Sequence, residues 1–276
     1  MALTVNTNLA SMNALNNLNQ TNRSLTKTLG RVSSGLRITS AGDDAAGLAV
    51  AENLDAAARS LTVAQRNTQD GISVVQTAEG ATAEVGGILK RMRELAVQSS
   101  SETLNNSERA YIQDEFTSLS SEVDRIASVT EFNGTQLADG STASLDVQVG
   151  INNTANDRIA ITTGDLRAVT LGVDAASMTL ASSTGAQTAL GNLDTAIDTV
   201  NGYRSDYGAA QNRLESAMRN LETYTESLRG AESGIRDADF AYEAAQMSRF
   251  QIMQQAGVAV LGQANGLNSG AIRLIG

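Results

Sequence analysis

The chain has 276 residues, contains no proline, cysteine or histidine, and carries a formal net charge of −10. It therefore lacks the commonest general base, the thiol nucleophile and the soft metal ligands, and its negative charge argues against nucleic acid or anionic membranes as partners. The absence of proline permits long helices, and 3% aromatic residues suit narrow helical seams better than a wide core. We expect a mainly α protein with no catalytic, metal or cofactor site.

The two ends of the chain are almost free of charge. Residues 1–22 hold no charged side chain, and residues 250–276 hold only Arg273, while asparagine and glutamine are frequent in both. Asparagine is a poor helix former, so we expect these helices to be weak until they pack against other copies of the chain. The alternative is a pair of frayed tails. The first twenty residues lack the pattern of a secretory signal peptide, and no run of eighteen apolar residues predicts membrane insertion.

Two long amphipathic helices are predicted in the N-terminal half. The first runs from about Asp44 to Ser99, and a polar loop over residues 99–107 separates it from the second. Apolar residues mark the buried face of each helix at heptad or alternating four-and-three spacing: Leu54, Leu61, Ile72, Val75, Val85, Leu89 and Met92 in the first, and Ile112, Phe116, Leu119, Val123 and Ile126 in the second.

The pattern changes to a period of two between about Leu145 and Ile161, which predicts a β-hairpin. Residues 164–188 are rich in serine, threonine, alanine and glycine with little periodicity, so we expect an irregular connection there. Residues 140–188 would then form the exposed tip of the molecule.

The clearest periodicity belongs to a heptad in the C-terminal half. It predicts a helix about 65 Å long, which needs partners along its whole length. We expect the two N-terminal helices to share this seam, giving long heptad helices packed as a rod. The positions in heptad phase are Leu193, Val200, Tyr207, Leu214, Leu221, Leu228 and Ile235, with Ile197, Met218 and Thr225 interleaved.

Several segments resemble bacterial flagellins in order and spacing. The run from Val32 to Gly47, VSSGLRITSAGDDAAG, is similar to the N-terminal flagellin signature. Further similar segments are Gly71–Ser73, Met92–Gln98, Phe132–Gly134, Ile235–Phe240 and Gln254–Gly257. The resemblance covers nearly the whole chain and implies a short flagellin that lacks the large variable outer domains. It also implies that residues 1–40 and 236–276 form a coiled-coil inner layer, while residues 41–235 form the surrounding rod with its hairpin.

The resemblance implies a structural subunit that polymerises into the flagellar filament, the helical propeller for swimming. Its implied partners are other copies of itself, an export chaperone, the type III export apparatus, and the hook-filament junction and cap proteins. The implied location is extracellular, in the filament. A hook-filament junction protein and, with less support, a coiled-coil signalling domain or an enzyme on a helical scaffold remain as alternatives.

Two groups of residues are candidates for function. The expected self-assembly residues are Leu9, Met12, Leu15, Leu18, Leu25, Leu29, Val32, Leu36, Met247, Phe250, Met253, Val258 and Leu261. By resemblance, Arg91, Leu95 and Glu115 match positions recognised by a host Toll-like receptor, although a solvated helix face for the two charges and a core position for Leu95 would explain them equally.

Two acidic pairs have simpler explanations than a ligand site or catalysis. Asp43 and Asp44, flanked by Gly42 and Gly47, favour the start of a helix over a phosphate-binding or metal-binding loop. Acidic side chains are stabilised at a helix N-terminus, and the Lys-Ser or Lys-Thr of a phosphate-binding loop does not follow these glycines. Asp237 and Asp239 could form a glycosidase-like carboxylate pair, but no cleft is indicated.

Overall fold

The computed structural model describes residues 7–273, with only the helical backbone given for residues 267–273. This part of the chain is mainly helical, which confirms the predicted fold class. Its helices are α1 (Leu9–Ser34), α2 (Ala45–Ser100), α3 (Asn106–Val129), α4 (Ala168–Leu171), α5 (Ser183–Arg236) and α6 (Phe240–Arg273). Its strands are β1 (Glu131–Phe132), β2 (Thr135–Gln136), β3 (Ser144–Gln148) and β4 (Arg158–Thr162), with a 3₁₀ turn at Ala155–Asp157.

The chain divides into two compact units. The terminal unit comprises the residues up to Ala58 and those from Ser227 onward, and the central unit comprises Arg59–Glu226. Both long helices, α2 and α5, contribute to both units. The domain boundaries expected at residues 40 and 236 remain a prediction.

The predicted heptad seam forms the core of the central unit. From Leu193 to Leu221 the positions in heptad phase are at 5% exposure or less, with Leu193 and Leu214 at 0%. The last two, Leu228 and Ile235, are half-buried and lie in the terminal unit. Leu193 shares a first cluster of buried side chains with residues of α2 and α3: Val85, Leu89, Met92, Phe116 and Val123. Tyr207 and Leu214 share a second cluster with Ile72 and Val75 of α2. Long helices therefore pack together here as the periodicity predicts.

Local capping explains where the helices begin and end. Asp44 precedes α2, and its carboxylate accepts the Gly47 N–H at 2.9 Å, as the helix-entry interpretation predicts. Asn105 and Glu108 form a reciprocal capping box at the start of α3. The buried Arg109 donates to the carbonyl oxygens of Ser99 and Ser101, at 3.0 and 2.8 Å, and so satisfies acceptors at the end of α2.

The predicted hairpin is present as β3 and β4, paired antiparallel with Leu145 opposite Ile161. Its buried face joins the second cluster of the core, which includes Ile72 and Val75 of α2. Gly71 permits this approach, because a Cβ there would lie 2.9 Å from Val147 Cγ2. The Gly164 N–H then donates to the buried Tyr207 hydroxyl at 3.1 Å, which ties the end of the hairpin to α5.

The connection after the hairpin corrects one expectation. The sequence predicts an irregular, exposed segment over residues 164–188, but these residues contain α4 and the first turn of α5, and the side chains of Leu166, Val173 and Leu180 are buried against α2, α3 and α5. A second small hairpin, β1–β2, was not predicted by periodicity. In the described part of the chain, no helix combines the length and apolar character needed to cross a membrane.

Candidate assembly surface

The charge-poor ends of the chain pair as antiparallel helices. Along α1 and α6 the contacting residue numbers rise on one helix as they fall on the other. The contacts are the Asn8 amide to the Ala264 carbonyl at 2.9 Å, Gln254 to Asn22 at 2.9 Å, and Arg31 to Glu243 at 3.1 Å. Polar side chains thus meet across the pair at intervals along its length.

A heptad seam lies between these helices, in agreement with the coiled coil that the family resemblance implies, although apolar periodicity alone does not reveal it. The inward positions follow alternating spacings of four and three: Ala14, Leu18, Thr21, Leu25, Thr28 and Val32 on α1, and Glu243, Met247, Phe250, Gln254, Gly257, Leu261 and Ala264 on α6, all of them buried or half-buried. Gly257 allows close approach, because a Cβ there would lie 3.2 Å from Leu18 Cδ1. The spacing of apolar residues does not reveal the seam because threonine, glycine, glutamine and alanine occupy half of it.

The structure divides the expected self-assembly residues into two groups. Six lie in the seam and are half-buried: Leu18, Leu25, Val32, Met247, Phe250 and Leu261. Six others are exposed to solvent: Leu9, Met12, Leu15, Leu29, Met253 and Val258, with exposures from 41% to 67%. The exposed group is joined by Ile252 at 66% and Val260 at 57%, which the sequence analysis did not single out.

The thirteenth residue, Leu36, lies where residues 35–37 pair with residues 236–238 in the terminal unit, a contact that we call the clasp. Gly35 ends α1 with a φ of 73°, a left-handed conformation that glycine adopts without strain. The chain then forms an antiparallel bridge in which the Arg37 N–H donates to the Arg236 carbonyl at 2.7 Å and the Ala238 N–H donates to the Gly35 carbonyl at 2.9 Å. Two of the segments that carry the family resemblance therefore meet in space.

Ion pairs surround this clasp. Lys27 lies 2.5 Å from Asp43, whose carboxylate also accepts the Thr39 hydroxyl and N–H. These contacts, Lys27 foremost, hold the pKa of the Asp43 carboxyl well below its ordinary value. The carboxylate of Glu243 is nearly buried and pairs with Arg31. Charge in the terminal unit is concentrated at one end of the helix pair, away from the uncharged stretches 9–22 and 250–266.

The residues considered for other roles have structural partners. Arg91 and Glu115 are brought together at 2.8 Å in a half-exposed ion pair, whereas Leu95 is 2% exposed and lies in the core. Asp239 accepts the N–H groups of Ala241 and Tyr242 at the start of α6, and Asp237 lies in the clasp. Across the described residues, no group of three side chains is arranged to hold a metal ion.

Family comparisons agree with this architecture. Residues 5–143 match the bacterial flagellin N-terminal helical region, and residues 190–275 match the bacterial flagellin C-terminal helical region. The chain belongs to the bacterial flagellin family. It is 44% identical to a flagellin of Halalkalibacterium halodurans over 98% of this chain and 99% of that one, and 39% identical to a Bacillus subtilis flagellin with the same coverage. Such coverage marks a short flagellin without large variable domains.

Solved structures extend the likeness to the fold. The flagellin of Bacillus cereus, 30% identical, aligns with a TM-score of 0.50 over 56% of this chain and 88% of that one. A Vibrio parahaemolyticus chain whose name links it to the flagellar hook shares the fold alone, with a TM-score of 0.58 at 13% identity over 71% of this chain and 100% of that one. The near-complete match to flagellins makes this chain a structural subunit of the flagellar filament, and the junction and signalling alternatives are not favoured.

Proposed function

We propose that the uncharged faces of α1 and α6 are the surfaces through which copies of this flagellin polymerise. The observation that carries the proposal is the exposure of seven apolar side chains in the uncharged stretches 9–22 and 250–266: Leu9, Met12, Leu15, Ile252, Met253, Val258 and Val260. Exposed apolar surface costs about 25 cal/mol per Å² in water, so a face of this kind is stabilised when another copy covers it.

The polar residues of these faces support the same role. Asparagine and glutamine side chains are uncharged and can donate and accept hydrogen bonds, so they can be buried between copies without a charge being desolvated. Gln254 and Asn22 already show this chemistry within the chain. The α1–α6 pair would thus form the inner layer of the filament, with the domain boundaries near residues 40 and 236.

A pair of polar substitutions tests the assembly surface. Leu15→Gln on α1 and Val258→Gln on α6 replace exposed residues, so we expect the monomer to keep its stability. The critical concentration for filament formation should rise about tenfold or more, which corresponds to about 1.4 kcal/mol of association free energy. Val169→Gln is the control, because Val169 is 72% exposed but lies on α4. Seeded assembly followed by electron microscopy gives the readout, and normal filaments from the double variant would contradict the proposal.

We further propose that the subunit works outside the cell and reaches the filament through the flagellar type III apparatus. The family membership supports this route. Glycines within α6, such as Gly257, Gly262 and Gly266, lower its helix propensity, which suits a segment held by an export chaperone before assembly. Junction and cap proteins would bound the filament at its two ends. We assign the chain no catalytic role. Fractionation of a strain lacking the export apparatus tests the route, and unchanged protein in the medium would exclude it.

We also propose a host Toll-like receptor contact centred on Arg91 and Glu115. Both side chains are about half exposed and lie on neighbouring helices, so one partner could contact both, while the buried Leu95 would support the helix from within. Receptor activation by the monomer should fall with Arg91→Ala and Glu115→Ala. Arg204→Ala is the matched control, since Arg204 forms a similarly exposed ion pair with Glu79. Equal receptor activation by all three variants would show that Arg91 and Glu115 do not contact the receptor.

A further inference from the structure

Three asparagines in the described chain precede a glycine. They are Asn133, Asn201 and Asn265, and all three pairs are exposed to solvent on both residues. Their backbones differ, because the first pair lies between β1 and β2, the second within α5 and the third within α6. The chain therefore contains a built-in comparison of one dipeptide in two kinds of secondary structure.

The first pair forms a two-residue hairpin turn. Phe132 is paired with Thr135, so the residues between them lie outside the ladder of backbone hydrogen bonds. Asn133 has a φ of 49° and Gly134 a φ of 78°, the two positive angles of a type I′ turn. An added Cβ on Gly134 would meet nothing within 4 Å, which shows how open the space around its amide is.

The helical pairs have a different amide environment. In an α-helix the N–H of residue i donates to the carbonyl of residue i−4, so the amide nitrogen of Gly202 is held in the α5 backbone and cannot turn toward the preceding side chain without breaking that bond. The same applies to the amide of Gly266 within α6. Of the three glycine amides, only that of Gly134 lies outside a helix or strand.

We propose that Asn133 is a site of spontaneous covalent modification, in which the Gly134 amide nitrogen attacks the Asn133 side-chain carboxamide. The new bond joins the Gly134 nitrogen to Asn133 Cγ, the Cγ–Nδ2 bond breaks, and ammonia leaves with the proton from the Gly134 amide. Water then opens the cyclic imide at either carbonyl and yields aspartate or isoaspartate. No oxidant, metal or enzyme takes part.

The modification would change the hairpin in two ways. Either product adds a negative charge two residues from Glu131, and isoaspartate also inserts one methylene into the backbone of a two-residue turn. The hairpin is followed by Leu137, which is 1% exposed and belongs to the core cluster of the β3–β4 hairpin. An aged subunit would therefore carry a locally loosened β1–β2 hairpin while its helices remain intact.

Peptide mapping by mass spectrometry tests the proposal on the intact chain. Folded flagellin is incubated at mildly alkaline pH, and the aspartate and isoaspartate products at the three sites are quantified over time. We expect Asn133 to convert about tenfold or more faster than Asn201, a barrier difference of about 1.4 kcal/mol. In a denaturant the rates should converge, because all three sites then share an unfolded Asn-Gly sequence. Equal rates at Asn133 and Asn201 in the folded chain would overturn the proposal.

A variant separates the chemistry from general damage. Asn133→Gly removes the carboxamide and keeps a residue that adopts positive φ without strain, so the turn should persist. The products at position 133 should vanish while conversion at Asn201 stays as in the wild type. If the peptide that contains position 133 still gained the charge and mass of deamidation in this variant, the modified residue would not be Asn133.

Discussion

The two heptad seams of this flagellin share a spacing and differ in what fills it. In the central unit, α5 presents Leu193, Val200, Tyr207, Leu214 and Leu221, all at 5% exposure or less. In the terminal unit, the buried positions of the seam are Thr21, Thr28, Glu243 and Ala264, and its leucines are only half-buried. The heptad spacing alone therefore does not determine how completely the side chains of a seam are buried.

The difference follows from partners and side-chain size. The central seam has α2, α3 and the β3–β4 hairpin around α5, so each large side chain is enclosed and contributes about 1.5–3 kcal/mol. The terminal seam has two helices, and small or polar residues occupy its centre, so most apolar side chains of α1 and α6 stay at the margin or outside. The central unit has a complete core within one chain, whereas the terminal unit has one that further copies could complete.

The largest expected effect is a difference in unfolding free energy between two Leu→Ala variants, one in each seam. Leu214→Ala should lower the free energy of unfolding by about 2–5 kcal/mol, because its side chain is fully enclosed and leaves a cavity. Leu25→Ala should lower it by about 1 kcal/mol or less in the monomer, since part of its surface remains in contact with water. Urea unfolding of the monomer measures both free energies. Equal losses of stability would show that the two seams are equally well packed.

A smaller effect is expected where the central core contains a polar group. Tyr207→Phe removes the acceptor of the buried Gly164 N–H, which should cost about 1–3 kcal/mol. Burial also raises the pKa of Tyr207, consistent with a hydroxyl enclosed by the core. Tyr224→Phe is the control, because Tyr224 is 46% exposed on the same helix. If the two variants melt alike, the Tyr207 hydroxyl does not hold the hairpin.

The sequence predicts the central helices well because large apolar residues recur there over many turns. Val85, Leu89 and Met92 are each identifiable as core from spacing alone, and all three are at 0% exposure. The β3–β4 hairpin is equally visible, because Leu145 to Ile161 alternates over two strands. Long repeats give the period enough positions to be recognised.

Other elements lack such a repeat. Leu166, Val173 and Leu180 lie in the loops before and after the short helix α4, and they are buried by tertiary contacts that no sequence period encodes. The strands β1 and β2 have two residues each, too few to alternate, although the Asn133–Gly134 dipeptide is a recognised hairpin signal. The terminal coiled coil was expected from the family resemblance alone, because its buried positions include threonine, which apolar patterns ignore.

The assembly surface could be predicted from the sequence only in part. Its apolar residues could be selected from the sequence, but Leu18 of the seam and Leu15 of the exposed face look alike until the direction of α6 is known. The antiparallel register, given by contacts such as Gln254 to Asn22, assigns each leucine to a face. A residue's role here depends on which side of the helix the partner covers, and charge depletion alone does not specify that.

The smallest effect concerns acid and the ion pairs of the terminal unit. Because folding lowers the pKa of Asp43, its contribution to stability is fully present above the ordinary aspartate value of about 4 and is lost as the pH falls through the lowered folded value. Lys27 is half exposed, so solvent screening should limit this contribution to about 1 kcal/mol or less.

Hydrogen exchange of the backbone amides at the C-terminal end of α1 provides the measurement. In the wild type, protection there should weaken below about pH 4, after correction for intrinsic exchange. Asp43→Asn should show reduced protection already at pH 7 and a flatter pH dependence, because its amide cannot pair with Lys27 as a carboxylate does. Asp70→Asn, an exposed position on α2, is the control. An unchanged acid profile in Asp43→Asn would mean that the clasp is held by its backbone bridge and by Arg31–Glu243 rather than by the Lys27–Asp43 pair.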